Sequence, residues 1–269
     1  MNQADLDFFK GWFSDYCKSF YSSNEEDQRN ISLKVDHTYN ACKNIKQIFA
    51  GSLELEEILN SKLIAETIAL FHDIGRFPQY AKYKTFKDNV SVNHGLLGAK
   101  TLIQEKILLR LPEKEQNLII QSIKFHNSFK LPRIDDVTII YFLKLIRDAD
   151  KLDILRVFIE YYETPQDKRA SAAGLGLPDT LEYSKNVLSC FHKGQIPSFT
   201  TLKTLCDFKL MQLSWIYDFN FNGSLRILLE RDYINRIATK LPKSEEISNA
   251  IQILLEYIHQ RLNSVPEKE

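Results

Sequence analysis

The sequence predicts an all-α fold, a helical bundle with a C-terminal helical extension. Only nine glycines and eight prolines interrupt the 269 residues, which leaves long stretches available for helices. Within these stretches, apolar residues recur at the three- and four-residue spacing of one helix face. No stretch shows sustained alternation of apolar and polar residues between turn signals, as a half-buried strand would.

The first helices are predicted from their apolar faces and from the polar residues between them. The polar segment 22–30 is interpreted as a connection, and the second helix opens near His37. Ser61 is the expected N-cap of a third helix, which Gly75 and Pro78 terminate. The N-terminal helix has an apolar stripe made of Leu6, Phe9, Phe13, Tyr16, Cys17 and Phe20.

Capping residues and prolines give the later helix boundaries. Residues 163–180 contain two glycines and two prolines and are predicted to form a loop. The chain is therefore divided into a helical core with its N-terminal helix, 1–162, and a loop with a helical extension packed on that core, 163–269. The predicted helices run from Asp88 or Ser91 to about Arg110, from Pro112 to about His126, from Asp135 or Asp136 to about Tyr162, and over 199–220, 224–238 and 243–262.

Composition narrows the class of protein. Thirty-five basic residues balance 35 acidic ones, so no net charge favours binding to nucleic acid. The apolar runs are far shorter than a membrane span, and charged residues interrupt the first twenty positions, unlike a signal peptide. The four cysteines form no Cys-x-x-Cys pair and are expected to be reduced and mostly buried. We therefore expect a soluble, cytoplasmic protein without a nucleic-acid or membrane partner, and the sequence gives no signal of its oligomeric state.

The adjacent pair His72–Asp73 is the centre of the predicted functional site. It ends an apolar helix just before Gly75, and an isolated pair of this kind more often satisfies backbone groups at a helix end. Here, however, four of the six histidines fall on separate predicted helices. The side chains expected to meet are His37, His72, Asp73, His94, His126 and Asp150.

This set of side chains predicts a metal centre. Burying four imidazoles and two carboxylates together is costly unless a cation accompanies them. An imidazole-rich set without cysteine favours Fe, Mn, Ni, Co or Zn over Mg or Ca alone. Six ligands also exceed what one open catalytic ion usually takes, which favours two ions bridged by a carboxylate.

The order His37, then His72–Asp73, then Asp150 resembles the HD-domain superfamily of metal-dependent phosphohydrolases, over about residues 31–160. His94 and His126 are similar to the extra histidines of its binuclear branches. Asp-Lys-Leu-Asp at 150–153 is similar to the surroundings of the family's distal aspartate, which favours Asp150 over Asp148 as the ligand. The run from His72 through Phe86, Asp88 and Ser91 to His94, and Ser-Trp-Ile-Tyr-Asp at 214–218, resemble bacterial HD proteins without an established substrate.

The resemblance implies which residues act and how. One ion would be held by His37, His72, Asp73 and Asp150, and Asp73 would bridge to a second ion held by His94 and His126. The implied reaction is hydrolysis of a phosphoester in a nucleotide or other small phosphorylated substrate by metal-activated water. Arg76 and Lys151 are the best-placed cations for the phosphate, ahead of Lys82 and Lys124, although basic side chains near helix ends often only complement the helix dipole.

Two other functions stay open. Within the family that the chain resembles, a minority of members are di-iron oxygenases, and their phosphonate branch carries Tyr-x-x-Glu before the first histidine. In this chain that segment contains Asp27, Gln28 and Asn30 instead, which argues against the oxygenase function. The site could instead serve a nucleotide sensor or a structural metal, although a complete ligand set argues for retained chemistry. His192 and His259 are expected to be surface or capping residues, and the stretch after Tyr161 and Tyr162 is expected to be a surface loop.

Overall fold

The computed structural model describes residues 1–50, 59–165 and 176–264. These residues form twelve α-helices and three short 3-10 helices and contain no strand, which confirms the all-α prediction. They divide into two compact units, of which the first contains Met1–Ile154 and the second contains Leu155–Pro165 and residues 176–264. Within the described ranges, no helix combines the length and the apolar character needed to cross a membrane.

The first unit is built around helix α3. This helix packs against α1, α2 and α6, and it is buried on every side, from Ile64 to Phe71. A helix surrounded in this way is mostly apolar, with Glu66 paired to Lys10 and Lys46, and the residues that follow its C-terminal end lie in the interior. The helices of the first unit are α1 (Gln3–Lys18), α2 (Glu25–Ala50), α3 (Leu59–Phe71), α4 (Arg76–Tyr83), α5 (His94–Gln104), α6 (Glu113–Phe125) and α7 (Val137–Glu163), of which α7 continues into the second unit.

Helix α1 confirms the predicted apolar stripe. Leu6, Phe9, Phe13 and Cys17 are buried, and the Phe9 ring meets the Phe71 ring of α3 edge to face at 5.6 Å between centroids. The side chain of Asn2 accepts a hydrogen bond from the Asp5 amide and closes a capping box at the start of the helix. Burial of each phenylalanine contributes about 1.5–3 kcal/mol, so this stripe fixes α1 to α3.

Two predicted boundaries in α2 and α3 are wrong. Helix α2 begins at Glu25, so most of the segment 22–30 is helical rather than a connection. The Asn24 side chain accepts a hydrogen bond from the Asp27 amide at 3.0 Å, and three acidic residues occupy the first turn, which stabilises this earlier start. Ser61 lies inside α3, which already includes Leu59, and therefore does not cap it.

Gly75 and Pro78 do end α3, but they also begin a helix that the sequence reading missed. Gly75 is the N-cap of α4, and Pro78 lies in its first turn, where a missing amide hydrogen costs nothing. Gly75 also allows a close approach between helices, because a Cβ there would lie 2.2 Å from the backbone oxygen of His94. This contact brings the end of α3 against the start of α5.

Helix α5 differs from its predicted boundaries at both ends. Its N-cap is Asn93, whose side chain accepts from the Leu96 amide at 2.9 Å, rather than Asp88 or Ser91. Asp88 begins a short 3-10 helix and Ser91 follows its last residue, and α5 ends at Gln104, well before Arg110. The predicted starts of α6 at Pro112 and of α7 at Asp136 are confirmed by their caps.

The second unit contains five further helices within the described ranges. The predicted stretch 199–220 is interrupted, and 224–238 is divided at Asp232, whose φ of 54° breaks the helix. The predicted loop 163–180 lies partly outside the described residues, and packing of the extension on the core stays a prediction. The helices are α8 (Lys185–His192), α9 (Leu205–Ser214), α10 (Asn222–Glu230), α11 (Tyr233–Ala238) and α12 (Glu245–Asn263).

Candidate metal centre

The six predicted ligands come together inside the first unit. His72 and Asp73 directly follow α3, and His37 lies on α2. His94 is the first residue of α5, His126 is the C-cap of α6, and Asp150 lies on α7. Five of these side chains are buried, whereas Asp150 keeps 17% of its side chain exposed. The helix ends therefore deliver a polar cluster into an apolar interior.

His37, His72 and Asp150 form one group of donor atoms, the first triad. The Nε2 atoms of His37 and His72 are 3.1 Å apart, and the Oδ1 atom of Asp150 lies 3.1 Å from the former and 3.7 Å from the latter. All three donor atoms thus face one common point.

Asp73, His94 and His126 form the second triad. The Nε2 atoms of His94 and His126 are 3.0 Å apart, and Oδ1 of Asp73 lies 3.3 Å from His94 Nε2 and 3.8 Å from His126 Nε2. The geometry repeats that of the first triad with two histidines and one carboxylate.

Asp73 connects the two triads. While its Oδ1 atom belongs to the second triad, its Oδ2 atom lies 3.4 Å from His37 Nε2 and 3.8 Å from His72 Nε2. One carboxylate oxygen therefore faces each group of histidines. This is the arrangement that a carboxylate shared between two cations requires.

In every histidine of the centre, the Nδ1 atom makes a hydrogen bond to a group outside the two triads. A carbonyl oxygen only accepts, so the Nδ1 atoms of His72 and His126 carry a proton, and in the neutral ring Nε2 presents a lone pair to the centre. Such outer partners orient metal-binding histidines. The Nδ1 bonds, each 2.7 Å, join His37 to Asp153, His72 to the Ala69 carbonyl, His94 to Asp88, and His126 to the Ile123 carbonyl.

The donor set fits divalent metal ions. With bonds of about 2.1 Å, two ligands on neighbouring corners of a tetrahedral or octahedral site are about 3.0–3.4 Å apart. Donor separations within the triads run from 3.0 to 3.8 Å, close to that range. Neutral His94 and His126 also place their Nε2 lone pairs 3.0 Å apart, which is unfavourable unless a cation lies between them.

The two carboxylates of the centre are held in their charged form. Burial by itself would raise the pKa of Asp73, but the charges of Lys34, His72 and Arg76 outweigh it and hold the pKa well below its usual range. Burial acts in the same way on Asp150, where the hydrogen bond from His37 and the nearby ring of His72 lower the pKa instead. Both carboxylates are therefore ionised and ready to bind a cation at neutral pH.

The histidines of the two triads differ in charge environment. Burial and nearby Lys34 disfavour the charged form of His37, but Asp150 and Asp153 outweigh both and raise its pKa to about 9. Burial together with the charge of Arg76 lowers the pKa of His94 to about 3, despite its bond to Asp88. Without metal, the charged form of His37 is thus favoured and that of His94 is disfavoured.

Lys34 is the most important side chain that the sequence reading missed. Its Nζ atom donates to Asp73 Oδ2 at 2.7 Å, and its side chain is 15% exposed. Lys34 lies three residues before His37 on α2, and that spacing places both on one face of the helix. In the sequence, this three-residue spacing was the available signal of Lys34. Lysines at that distance from a histidine are too common for the spacing to be distinctive.

Asp153 and Asp88 were not predicted as partners of the ligands. Asp153 comes one turn after Asp150 on α7 and is fully buried. Asp88 accepts from Asn127 Nδ2 at 2.9 Å as well as bonding to His94, which joins the 3-10 helix before α5 to the end of α6. Each carboxylate lies a few residues from a predicted ligand in the sequence. Only the fold shows that Asp153 bonds to Nδ1 of His37 and Asp88 to Nδ1 of His94.

Arg76 lies beside the centre in an anchored position. Its Nη1 atom donates to Asp88 Oδ1 at 2.8 Å and to the Phe86 carbonyl at 2.6 Å, and its Nε atom is 3.4 Å from Asp73 Oδ1. Lys151 is half-buried on α7. The predicted contact of Arg76 and Lys151 with a substrate phosphate stays a prediction.

The remaining candidates are less closely tied to the centre. Asp148 is fully buried, and the triads contain Asp150 instead, as the surroundings of the distal aspartate had indicated. His192 and His259 are exposed in the second unit, in accordance with their predicted surface positions. The ammonium groups of Lys82 and Lys124 lie over the rings of their chain neighbours Tyr83 and Phe125.

The sequence was compared with known proteins and protein families. The family model of the HD domain matches residues 36–155, a range that includes all six ligands and Asp153. The chain contains an HD domain. This domain is typical of a superfamily of metal-dependent hydrolases, and the match agrees with the two His/Asp triads. Lys34 lies just outside the matched range of the HD domain. No curated protein and no solved structure matched the chain.

Proposed function

We propose that this HD-domain protein is a phosphohydrolase that cleaves a phosphoester of a nucleotide or other small phosphorylated metabolite. In this proposal the first triad binds one divalent transition metal ion, the second triad binds another, and Asp73 is shared. The observation that carries the proposal is the position of Asp73, which turns one carboxylate oxygen toward each pair of histidines. Iron, manganese, nickel, cobalt and zinc all suit these ligands.

The protein's contribution is to hold the donors in place before any ion arrives. Ions held by the two triads would supply Lewis acidity toward phosphoryl oxygens and would lower the pKa of water. Asp153 and Asp88 fix the rings of His37 and His94, and backbone carbonyls fix the other two histidines. Burial of five ligands keeps bulk water away from most of the centre.

The partly exposed side chains indicate where a substrate enters. Asp150 keeps 17% of its side chain exposed, Lys34 and Arg76 keep 15% each, and Asp88 keeps 29%. Solvent therefore reaches Asp150 in the first triad, and the partly exposed cations Lys34 and Arg76 lie at 2.7 and 3.4 Å from Asp73 at this edge of the centre. Such an edge attracts an anion, which favours a phosphorylated substrate over a neutral one.

A screen of phosphorylated metabolites with manganese- or nickel-loaded protein tests the proposal. We expect hydrolysis of at least one compound, two equivalents of metal per chain, and loss of activity in Asp73→Ala. Asp36→Ala is the matched control, because Asp36 is exposed and directly precedes His37 on α2. Full metal loading without turnover across the panel would favour a sensor, and consumption of dioxygen by a di-iron form without hydrolysis would favour an oxygenase.

A further inference from the structure

The two cationic side chains at the exposed edge of the centre, Lys34 and Arg76, differ in how firmly their other contacts hold them. We propose that Lys34 binds the phosphoryl group of the substrate, an inference that rests on the proposed hydrolase function. Lys34 was not among the residues that the sequence indicated, and it lies outside the range matched by the HD domain. Its position beside Asp73 is therefore the evidence for this role.

Lys34 lies between the centre and solvent. Its Nζ atom is 2.7 Å from Asp73 Oδ2, the oxygen that faces the first triad, and part of the side chain is exposed. A ligand that approaches the exposed side of the triads thus meets this ammonium group at the same depth as the bridging carboxylate. A substrate phosphoryl group bound at the triads would lie within its reach.

Metal binding changes what Lys34 can pair with. In the metal-free protein its positive charge is balanced by Asp73. Once that carboxylate binds cations on both oxygens, its negative charge is shared with them, and the ammonium is left close to positive ions. An incoming phosphoryl group supplies the negative charge that Lys34 then needs, in a charge-assisted hydrogen bond.

Phe86 helps to keep the Lys34 ammonium at this edge. The Nζ atom lies 5.2 Å from the centre of the Phe86 ring, within the range of a cation–π contact. The guanidinium carbon of Arg76 lies 5.9 Å from the same ring. Unlike Lys34, Arg76 is anchored by Asp88 and by the Phe86 carbonyl, so it acts as a fixed charge behind the edge.

Binding of inorganic phosphate to the metal-loaded protein tests the inference without relying on turnover. We expect calorimetry to give an affinity about ten- to hundredfold weaker in Lys34→Met, with unchanged metal content, because a hydrogen bond between charged groups is lost. Lys34→Arg should recover much of the affinity. Lys43→Met is the matched control, since Lys43 is an exposed lysine on the same helix.

The outcomes separate this inference from the proposed function. Equal phosphate affinity in Lys34→Met and the wild type would overturn the role of Lys34, while hydrolysis by the wild type would leave the proposed function intact. Loss of metal in Lys34→Met and also in Lys34→Gln would show that Lys34 serves only to position Asp73, and would likewise overturn it. A wild type that neither binds phosphate nor hydrolyses any phosphoester would reject both proposals.

Discussion

The two triads of the metal centre share one construction but differ in charge. Each contains two histidines and a carboxylate. In each, one histidine bonds through Nδ1 to a carboxylate, and the other bonds to the backbone carbonyl three residues earlier. The same ligand types and the same supports thus occur twice around Asp73.

The charged groups around the two rings account for the difference. Asp153, behind His37, is fully buried, whereas Asp88, behind His94, has 29% of its side chain exposed and also pairs with Arg76 at 2.8 Å. Burial and the charge of Arg76 outweigh the bond to Asp88 and lower the pKa of His94 to about 3. Burial acts on His37 too, but Asp150 and Asp153 outweigh it and raise the pKa of His37 to about 9. The comparison teaches that equal ligand sets need not bind cations equally. We expect the first triad to bind metal more tightly than the second.

Loss of the shared carboxylate should have the largest effect. Asp73→Ala removes a member of the second triad together with the carboxylate oxygen that faces the first, and it leaves Lys34 and Arg76 without their common anion. We expect kcat for the substrate found in the screen to fall by about a thousandfold or more, and metal analysis to show a deficit at both positions. If Asp73→Ala keeps two ions and most of its activity, the two triads do not function as one centre.

Single histidine substitutions should show which triad binds more tightly. We expect His94→Ala to retain about one equivalent of metal in the first triad, and His37→Ala to lose metal from both positions after dialysis against a weak chelator. Elemental analysis of the two variants measures the difference. The proposed order of affinity would be wrong if His37→Ala kept the ion of the second triad while His94→Ala lost the ion of the first.

Substitution of the carboxylates behind the histidines tests the cause of that order. Asp153→Asn and Asp88→Asn both keep an acceptor for the ring but remove its negative charge. We expect metal affinity to fall about ten- to hundredfold in Asp153→Asn and less in Asp88→Asn, because Arg76 already offsets the charge of Asp88. Competition with a chromogenic chelator gives both values, and equal losses would refute the role assigned to Arg76.

The smallest expected effect is a pH dependence of stabilisation by metal. In the metal-free fold, the pKa of His37 is raised from 6.5 to about 9. Protonation of His37 therefore stabilises this fold fully below about pH 6.5, and that stabilisation is lost as the pH rises toward 9. A metal ion in the first triad replaces the proton. The increase in Tm on metal binding should therefore be a few degrees larger near pH 9 than near pH 6.5.

His94→Ala provides the control for this measurement, because it leaves His37 and the first triad in place. The dependence on pH should persist in His94→Ala. A stabilisation by metal that is constant over this range in the wild type would contradict the charge state assigned to His37.

The sequence predicted the helices better than their ends. The apolar stripe of α1 follows from periodicity, because one apolar face must be buried wherever the helix packs, and the start of α7 follows from its Asp136 cap. Helix α4 was missed because Gly75 and Pro78 normally end helices, and here they begin one. The close approach of Gly75 to the His94 backbone explains the glycine, and it depends on two segments that meet only in the folded chain.

Sequence alone determined the fold class, the HD-domain resemblance and the six candidate ligands, since residue types and their spacing along helices are local properties. The fold decided how these ligands divide. Only the meeting of α2, α5, α6 and α7 at the end of α3 separates two triads, places Oδ1 of Asp73 in the second triad and turns its Oδ2 toward the first. The same packing brings Lys34, Asp88 and Asp153 to the centre. Their roles depend on distances of a few ångströms between segments far apart in the chain, and no periodicity encodes such distances.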